Sequence, residues 1–132
     1  MTPNDHDNLL DAARSAREHA YVPYSGFAMG AAVRTVRGHI MPGTLVENVS
    51  LGLAMCAERV ALFATATADD RPAAVALVSK RTNGELTFPC GACLQVALEL
   101  GGPDVVVVVA DPNGATAEST VGELLPRGPH RP

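Results

Sequence analysis

The sequence predicts an α/β sandwich with a mixed five-stranded sheet. Predicted strands and helices alternate along most of the chain, and this order favours helices packed on the faces of a sheet. Two closely spaced strands near the start predict an antiparallel hairpin, so parallel and antiparallel pairs must share the sheet. The 132 residues fit one domain, residues 1–132, with flexible ends expected at about 1–3 and 127–132.

The individual elements follow from hydrophobic spacing and turn residues. Leu9, Leu10, Ala13 and Ala16 recur at helical spacing and predict a first helix, with a capped start that includes Thr2. A valine-rich run at 104–110 predicts a covered central strand. In chain order, the predicted elements are helix 3–20, strands 27–36 and 39–43, helix 56–68, strand 73–80, helix 90–102, strands 104–110 and 116–120, and a helical turn at 121–126.

The helix over 56–68 is apolar on more than one side. Val60, Ala61, Phe63 and Ala64 are expected to face the core. The remaining apolar surface could contact a neighbouring subunit as well as the sheet.

Composition narrows the classes of partner. The formal net charge is −4 and the pI is about 5.4, which disfavours a nucleic acid polymer because phosphate backbones bind basic surfaces. A small, nearly neutral ligand fits better. No apolar run approaches the roughly 20 residues that cross a bilayer, so no membrane association is expected. The acidic, polar start does not resemble a secretory signal, so the predicted location is cytoplasmic.

All three cysteines lie in two short motifs, C-A-E-R from Cys56 and P-C-G-A-C around Cys90 and Cys93. Both motifs fall where a predicted helix begins, and a helix N-terminus stabilises thiolate. Three thiolates together favour Zn²⁺, which prefers sulfur ligands. A redox pair or ordinary core cysteines would explain C-x-x-C alone, but the third cysteine and the nearby Glu58 favour the metal.

The number of available ligands predicts catalytic rather than structural zinc. The chain has no fourth cysteine, and its four histidines, at 6, 19, 39 and 130, lie outside both motifs. The fourth position is therefore assigned to water, which zinc makes more acidic, and Glu58 to the transfer of its protons. The alternative is structural zinc completed by a distant histidine. Arg59 is expected to donate to a coordinating sulfur, or else to lie on a solvated helix face.

These motifs resemble those of the zinc-dependent cytidine deaminases, in the small homotetrameric branch with three cysteine ligands. The resemblance extends from Tyr21 to Pro126 and includes Y-V-P-Y-S-G-F-A-M-G-A-A and V-E-N-V-S-L-G-L-A-M-C-A-E-R-V-A-L-F. It implies a three-layer α/β/α sandwich, bound Zn²⁺, a nucleoside substrate and assembly as a homotetramer.

The resemblance implies a role for each residue of the metal motifs. Cys56, Cys90 and Cys93 would hold zinc. Glu58 would protonate N3 of the pyrimidine, assist the attack of hydroxide at C4, and pass a proton to the departing ammonia.

Contacts to the nucleoside are also implied by the resemblance. The N–H of Ala57 would meet the pyrimidine O2, and the carbonyl of Phe88 would accept from the 4-amino group. Phe27 would lie against the ring, and Glu47 would hold a ribose hydroxyl. Without the resemblance, Phe27 would be taken as a core residue of a strand and Glu47 as an exposed loop carboxylate.

Departures from the family pattern concern the sugar, the wall of the site and the assembly. Leu45 occupies the position of an asparagine that usually shares the sugar hydroxyl, and it can make no side-chain hydrogen bond. Leu51 stands where an aromatic residue is common, and Leu94 where arginine often follows the second motif. The C-terminal aromatic residue that the family offers to a neighbouring subunit has no equivalent after 123–126.

The predicted reaction is hydrolytic deamination of cytidine and 2'-deoxycytidine to uridine and 2'-deoxyuridine, with release of ammonia, in pyrimidine salvage. Because Leu45 would tolerate a modified sugar, the same reaction on a nucleoside such as blasticidin S is an alternative. A non-catalytic, zinc-stabilised nucleoside-binding module is the third hypothesis. Glu58 disfavours it, because a binding module has no need of a carboxylate there.

Overall fold

A computed structural model describes residues 3–131 of the chain. The helices and strands follow one another in the predicted order. Their bounds are α1 Pro3–Arg17, β1 Met29–Thr35, β2 Ile40–Thr44, α2 Ala57–Thr67, β3 Pro72–Ser79, α3 Gly91–Gly101, β4 Val106–Ala110, β5 Thr116–Thr120 and α4 Val121–Leu124, with a 3₁₀ turn at Leu51–Leu53 before α2.

The five strands form one mixed sheet in the order β2-β1-β3-β4-β5. β3 and β4 pair in parallel, and the other neighbouring strands pair antiparallel. A parallel pair needs a crossover connection, which α3 provides between β3 and β4. β1 and β2 form the predicted hairpin, whose turn includes Gly38 at φ 88, a conformation that favours glycine.

Helices cover both faces of the sheet. Side chains alternate along a strand with a period of two, so β3 contributes to two cores. Ala74, Ala76 and Val78 pack under α1, whereas Val75 and Leu77 pack with α2 and α3. The fold is therefore a three-layer α/β/α sandwich with a mixed five-stranded sheet, which confirms the predicted fold class.

Several helices and strands begin or end a few residues away from their predicted bounds. α1 ends at Arg17 rather than Ala20 because the chain tightens into three-residue turns, in which Ala20 N donates to Arg17 O at 3.2 Å. β1 begins at Met29 rather than residue 27. The predicted cap at Thr2 lies outside the described residues, as do residues 1–2 and 132 of the flexible ends predicted at about 1–3 and 127–132.

The predicted inward face of α2 was partly wrong. Ala61 is fully buried as expected, but Phe63 is 46% exposed, and Val60 and Ala64 are half-buried. An α-helix turns about 100° per residue, so Phe63 points nearly opposite to Ala61. The fully or almost fully buried residues of this helix are Ala57, Glu58, Ala61, Leu62 and Thr65.

The two cores are built from buried side chains, including Leu9 of α1 on one face of the sheet and Leu62 and Leu77 on the opposite face. Burial of each such side chain stabilises the fold by roughly 1.5–3 kcal/mol. Within residues 3–131, no helix combines the length and the apolar character needed to span a membrane.

Candidate metal centre

Two helix N-termini bring the three cysteines together. Cys56 is the N-cap residue of α2 and Cys90 that of α3, both with extended backbone, and Cys93 lies in the first turn of α3. The Sγ atoms of Cys56 and Cys90 are 4.0 Å apart, and those of Cys90 and Cys93 are 3.5 Å apart. All three sulfurs lie within 4.8 Å of one another. The spacing C-x-x-C places two sulfurs on one helix start, and the sheet places the other helix start beside it.

The sulfur cluster fits zinc. A Zn–S distance of about 2.3 Å in tetrahedral geometry separates sulfurs by roughly 3.8 Å, close to the spacings of this cluster. Over residues 3–131, this is the one group of three or more cysteine, histidine or acidic side chains close enough to hold an ion. No histidine belongs to it, and His6 instead lies 3.4 Å from Glu118. Three protein sulfurs and no fourth protein ligand are the donor set of a catalytic rather than a structural zinc site.

Arg59 stabilises negative charge on Cys56. Its Nη2 donates to Cys56 Sγ at 3.3 Å. In the metal-free cluster, a hydrogen bond with Cys93, followed by the bond and charge of Arg59, lowers the pKa of Cys56 to about 5. The shared hydrogen bond with Cys56 raises the pKa of Cys93, and the pKa of the Arg59 guanidinium is raised by its bond to Cys56. The bond from Arg59 therefore favours the thiolate form of Cys56.

Arg59→Gln is expected to raise the pKa of the Cys56 thiol in the metal-free protein, because it removes both the hydrogen bond and the positive charge. Thiolate absorbance in the ultraviolet, followed against pH, measures this shift. Zinc affinity should fall by about tenfold, the range found when a group that supports a metal ligand is lost. Arg127→Gln, at an exposed arginine outside the cluster, is the control. An unchanged thiol titration in Arg59→Gln would contradict the assignment.

Glu58 is a buried carboxyl group beside the sulfur cluster. It is 2% exposed, and its Oε1 has no hydrogen-bond partner among the described residues. Burial raises the pKa of Glu58 to about 7, partly opposed by a hydrogen bond from its own backbone N–H and reinforced by the charge on Cys56. A carboxyl group with this pKa exchanges protons readily near neutral pH.

The residues expected to contact the base lie on segments next to the cysteines. Ala57 is fully buried and is the first residue of α2, so its N–H has no acceptor within the helix. Phe88 is half-buried, packs against the core that contains α2 and α3, and precedes Pro89 and Cys90. Phe27 is half-buried just before β1.

The carboxylate of Glu47 is already engaged within the chain. Its Oε1 accepts from Tyr24 N at 3.0 Å and Ser25 N at 3.2 Å, and its Oε2 accepts from Ser25 Oγ. The hydroxyl of Ser25 lowers the pKa of Glu47, so this carboxylate stays ionised. Ser25 Oγ also accepts from Phe27 N at 3.0 Å, which ties Glu47 to the expected ring contact.

Sequence reasoning missed this link between Glu47 and Ser25. The two residues lie 22 positions apart, and neither spacing nor hydrophobic pattern signals such a contact. A carboxylate has about four lone-pair sites, of which three are used here. One site remains for a further donor such as a sugar hydroxyl.

Most of the chain matches a known family. The sequence model of the family described as the cytidine and deoxycytidylate deaminase zinc-binding region matches residues 3–109. The chain belongs to this family. The matched range includes Glu58 and the three clustered cysteines, so the deaminase family supplies an independent reason to assign zinc to them.

Relatives of this deaminase cover nearly the whole chain. A protein of Halalkalibacterium halodurans named cytidine deaminase is 43% identical over 122 residues, 92% of either chain. One of Mycobacterium tuberculosis with the same name is 39% identical over 127 residues, 96% of this chain and 90% of that one. The crystal structure of cytidine deaminase from Burkholderia pseudomallei matches with a TM-score of 0.87 at 46% identity and covers 97% of this chain and 99% of that one.

Proposed function

We propose that this chain catalyses the zinc-dependent hydrolytic deamination of cytidine and 2'-deoxycytidine to uridine and 2'-deoxyuridine, with release of ammonia. The observation that carries this proposal is the cluster of Cys56, Cys90 and Cys93 beside the buried carboxyl group of Glu58. The membership in the deaminase family and the names of relatives up to 43% identical support the same reaction.

The metal is assigned to the three cysteines. When bound there with an open position, zinc lowers the pKa of water towards neutrality and so supplies hydroxide at neutral pH. Arg59, which donates to Cys56 Sγ, offsets part of the excess negative charge of three thiolates around one dication.

Proton transfer is assigned to Glu58. Deamination breaks the C4–N4 bond and forms a C4–O bond, so a proton must move from water to N3 and another to the leaving amine. A single carboxyl group with a pKa near neutrality can accept the first proton and release it again within one turnover. Burial keeps competing solvent away from this transfer.

The base is oriented by backbone groups and one ring. The free N–H of Ala57 donates to the pyrimidine O2, and the carbonyl of Phe88 accepts from the 4-amino group. Phe27 lies against the face of the ring. Because Ala57 and Phe88 are adjacent in sequence to Glu58 and Pro89–Cys90 respectively, the base is aligned by the same segments that carry the reactive groups.

Binding of the sugar is assigned to Glu47, whose carboxylate keeps one acceptor site after its bonds to Tyr24 and Ser25. Leu45, half-buried two residues earlier, offers the sugar no hydrogen bond. A site of this kind holds the ribose with one polar side chain rather than two.

Leu45→Asn is expected to raise kcat/KM for cytidine by about fivefold, mainly through a lower KM, because one added hydrogen bond contributes roughly 1 kcal/mol. Initial rates with cytidine and with free cytosine measure the effect. Cytosine has no sugar and serves as the internal control, so its rate should not change. An equal change for both substrates would contradict the role of position 45 in sugar binding.

The substrate assignment is tested with a panel of cytosine compounds. Loss of absorbance and release of ammonia are followed for cytidine, 2'-deoxycytidine, cytidine monophosphate, cytosine and blasticidin S, with and without a zinc chelator. We expect cytidine and 2'-deoxycytidine to give the highest kcat/KM, and the chelator to remove activity. A zinc-loaded protein that deaminates none of these compounds would overturn the proposal. A higher kcat/KM for blasticidin S than for cytidine would show that the substrate is a modified cytosine nucleoside.

We also propose that the chain assembles as a homotetramer and works in pyrimidine salvage in the cytoplasm. Exposed apolar side chains on the segment before α2 and on α2 itself support assembly: Val49 is 78% exposed, Leu51 85%, Leu53 69%, and Phe63 46%. Large apolar side chains left exposed in a single chain are often covered by a partner. Sedimentation velocity of the zinc-loaded protein should give the mass of four chains, and a monomer at micromolar concentration would contradict the assembly.

A further inference from the structure

We propose that Gly43 is a positioning residue for the metal centre. The backbone of β2 at Gly43 packs directly against the first turn of α2. This contact holds Cys56 and Glu58 in place before a metal binds. The inference rests on the proposed assignment of these two residues to zinc binding and proton transfer. Gly43 touches neither the metal nor the substrate in this account and acts only through the helix.

The contact between β2 and α2 leaves no room for a side chain. A Cβ placed on Gly43 would lie 2.3 Å from the carbonyl oxygen of Ala57 and 2.6 Å from the amide nitrogen of Ala61. These two atoms belong to the first complete turn of α2. Gly43 is buried and does not have a positive φ, so close approach rather than conformational freedom explains the glycine.

The contact at Gly43 affects the metal centre through Ala57. Ala57 lies between Cys56 and Glu58 in the chain, and Val60 N donates to the carbonyl oxygen of Cys56 at 3.1 Å. Any displacement of the Ala57 carbonyl therefore moves the backbone of both functional residues. Cys90 and Cys93 lie on α3 and would stay in place, so the sulfur spacing between the two helices would change.

β2 keeps a fixed position because it is paired within the sheet. Gly43 pairs with Ala31 of β1, and the residues on either side of Gly43 are paired with β1 as well. β1 is paired on its other side with β3. The backbone of β2 is therefore held by the sheet where it contacts α2.

Gly30 offers a matched control in the same hairpin. A Cβ on Gly30 would lie 2.2 Å from the carbonyl oxygen of Ala13 and 2.2 Å from the amide nitrogen of Arg17. It would therefore crowd one turn of α1, just as a Cβ on Gly43 would crowd one turn of α2. α1 carries none of the residues assigned to the metal or the substrate. Both glycine-to-alanine changes therefore crowd a helix backbone, but only one of these helices carries the site.

The test compares wild type, Gly43→Ala and Gly30→Ala. Zinc affinity is measured by competition with a chromophoric chelator, and ligand geometry by the absorption spectrum of the Co²⁺-substituted protein. We expect Gly43→Ala to bind zinc at least about tenfold more weakly, with an altered cobalt spectrum and a lower kcat. Gly30→Ala should keep the wild-type zinc affinity and spectrum even where its melting temperature falls.

Equal zinc affinity and equal cobalt spectra in the two variants would overturn the inference while leaving the proposed function intact. Wild-type protein that binds no zinc, or that is zinc-loaded but inactive on cytidine, would instead overturn the proposed function. The two failures are therefore distinguishable in one set of samples.

A second measurement needs no variant and applies if Gly43→Ala does not fold. Amide hydrogen exchange of the metal-free wild type reports whether the start of α2 is held without zinc. We expect the amide of Val60, which donates to Cys56 O, to remain as protected as amides in the middle of α2. Exchange of this amide at the rate of an unstructured peptide would show that the metal, not β2, orders the helix start.

Discussion

Glu58→Gln is expected to reduce kcat/KM for cytidine by about 10²–10⁴-fold, the range that a positioned general acid–base group contributes. Glutamine has nearly the same shape and fits the buried site, but it cannot accept a proton from water or return one to ammonia. The loss should therefore appear mainly in kcat. Zinc content, measured by elemental analysis, should stay near one per chain because Glu58 does not belong to the sulfur cluster.

Glu99→Gln is the control for this change. Glu99 is an exposed residue of α3, so the same removal of a carboxylate should leave both kcat and zinc content unchanged. Wild-type rates in Glu58→Gln would contradict the proton-transfer role. Loss of zinc from Glu58→Gln would mean that the carboxyl group supports the metal site rather than the reaction.

Cys90→Ala is expected to abolish zinc binding at micromolar metal and to reduce deamination to the background rate. A site with two remaining sulfurs has one protein ligand fewer than the three that catalytic zinc sites use. Cys90 is exposed, whereas Cys93 is 1% exposed, so removing the Cys90 thiol leaves no cavity in the core. The metal-free variant should therefore melt at the same temperature as the metal-free wild type.

Ala92→Ser provides the control on the same helix start. Ala92 is exposed beside Cys93, and the substitution adds a polar atom without removing a ligand. Zinc content, activity and the stabilisation of the protein by zinc should match those of wild type. Cys90→Ala that retained one zinc per chain would contradict the assignment of Cys90 as a ligand.

The features that sequence alone predicted are those with local physical signals. The valine-rich run at 104–110 contains the buried strand β4, and the alternation of elements predicted the α/β sandwich with a mixed sheet. The two cysteine motifs were expected at helix starts, and the structure places Cys56 and Cys90 at N-cap positions. The convergence of the two motifs required the sheet, which sets α2 beside α3.

Features that depend on contacts between distant segments could not be predicted. The burial of α2 was misjudged at Phe63 because an apolar helix gives no sharp choice of inward face. The bonds of Glu47 to Tyr24 and Ser25 and the contact of Gly43 with α2 join residues that no local pattern relates. Leu94, noted as a departure from the family pattern, is 6% exposed and belongs to the core beside α2.

The central claim is that three cysteine sulfurs hold one zinc and leave one position for solvent. X-ray absorption spectroscopy of the purified, zinc-loaded protein tests it most directly. We expect one zinc per chain with three sulfur ligands at about 2.3 Å and one oxygen ligand at about 2.0 Å. A coordination sphere filled by four protein ligands, including a histidine nitrogen, or purified protein that binds no zinc would contradict the account.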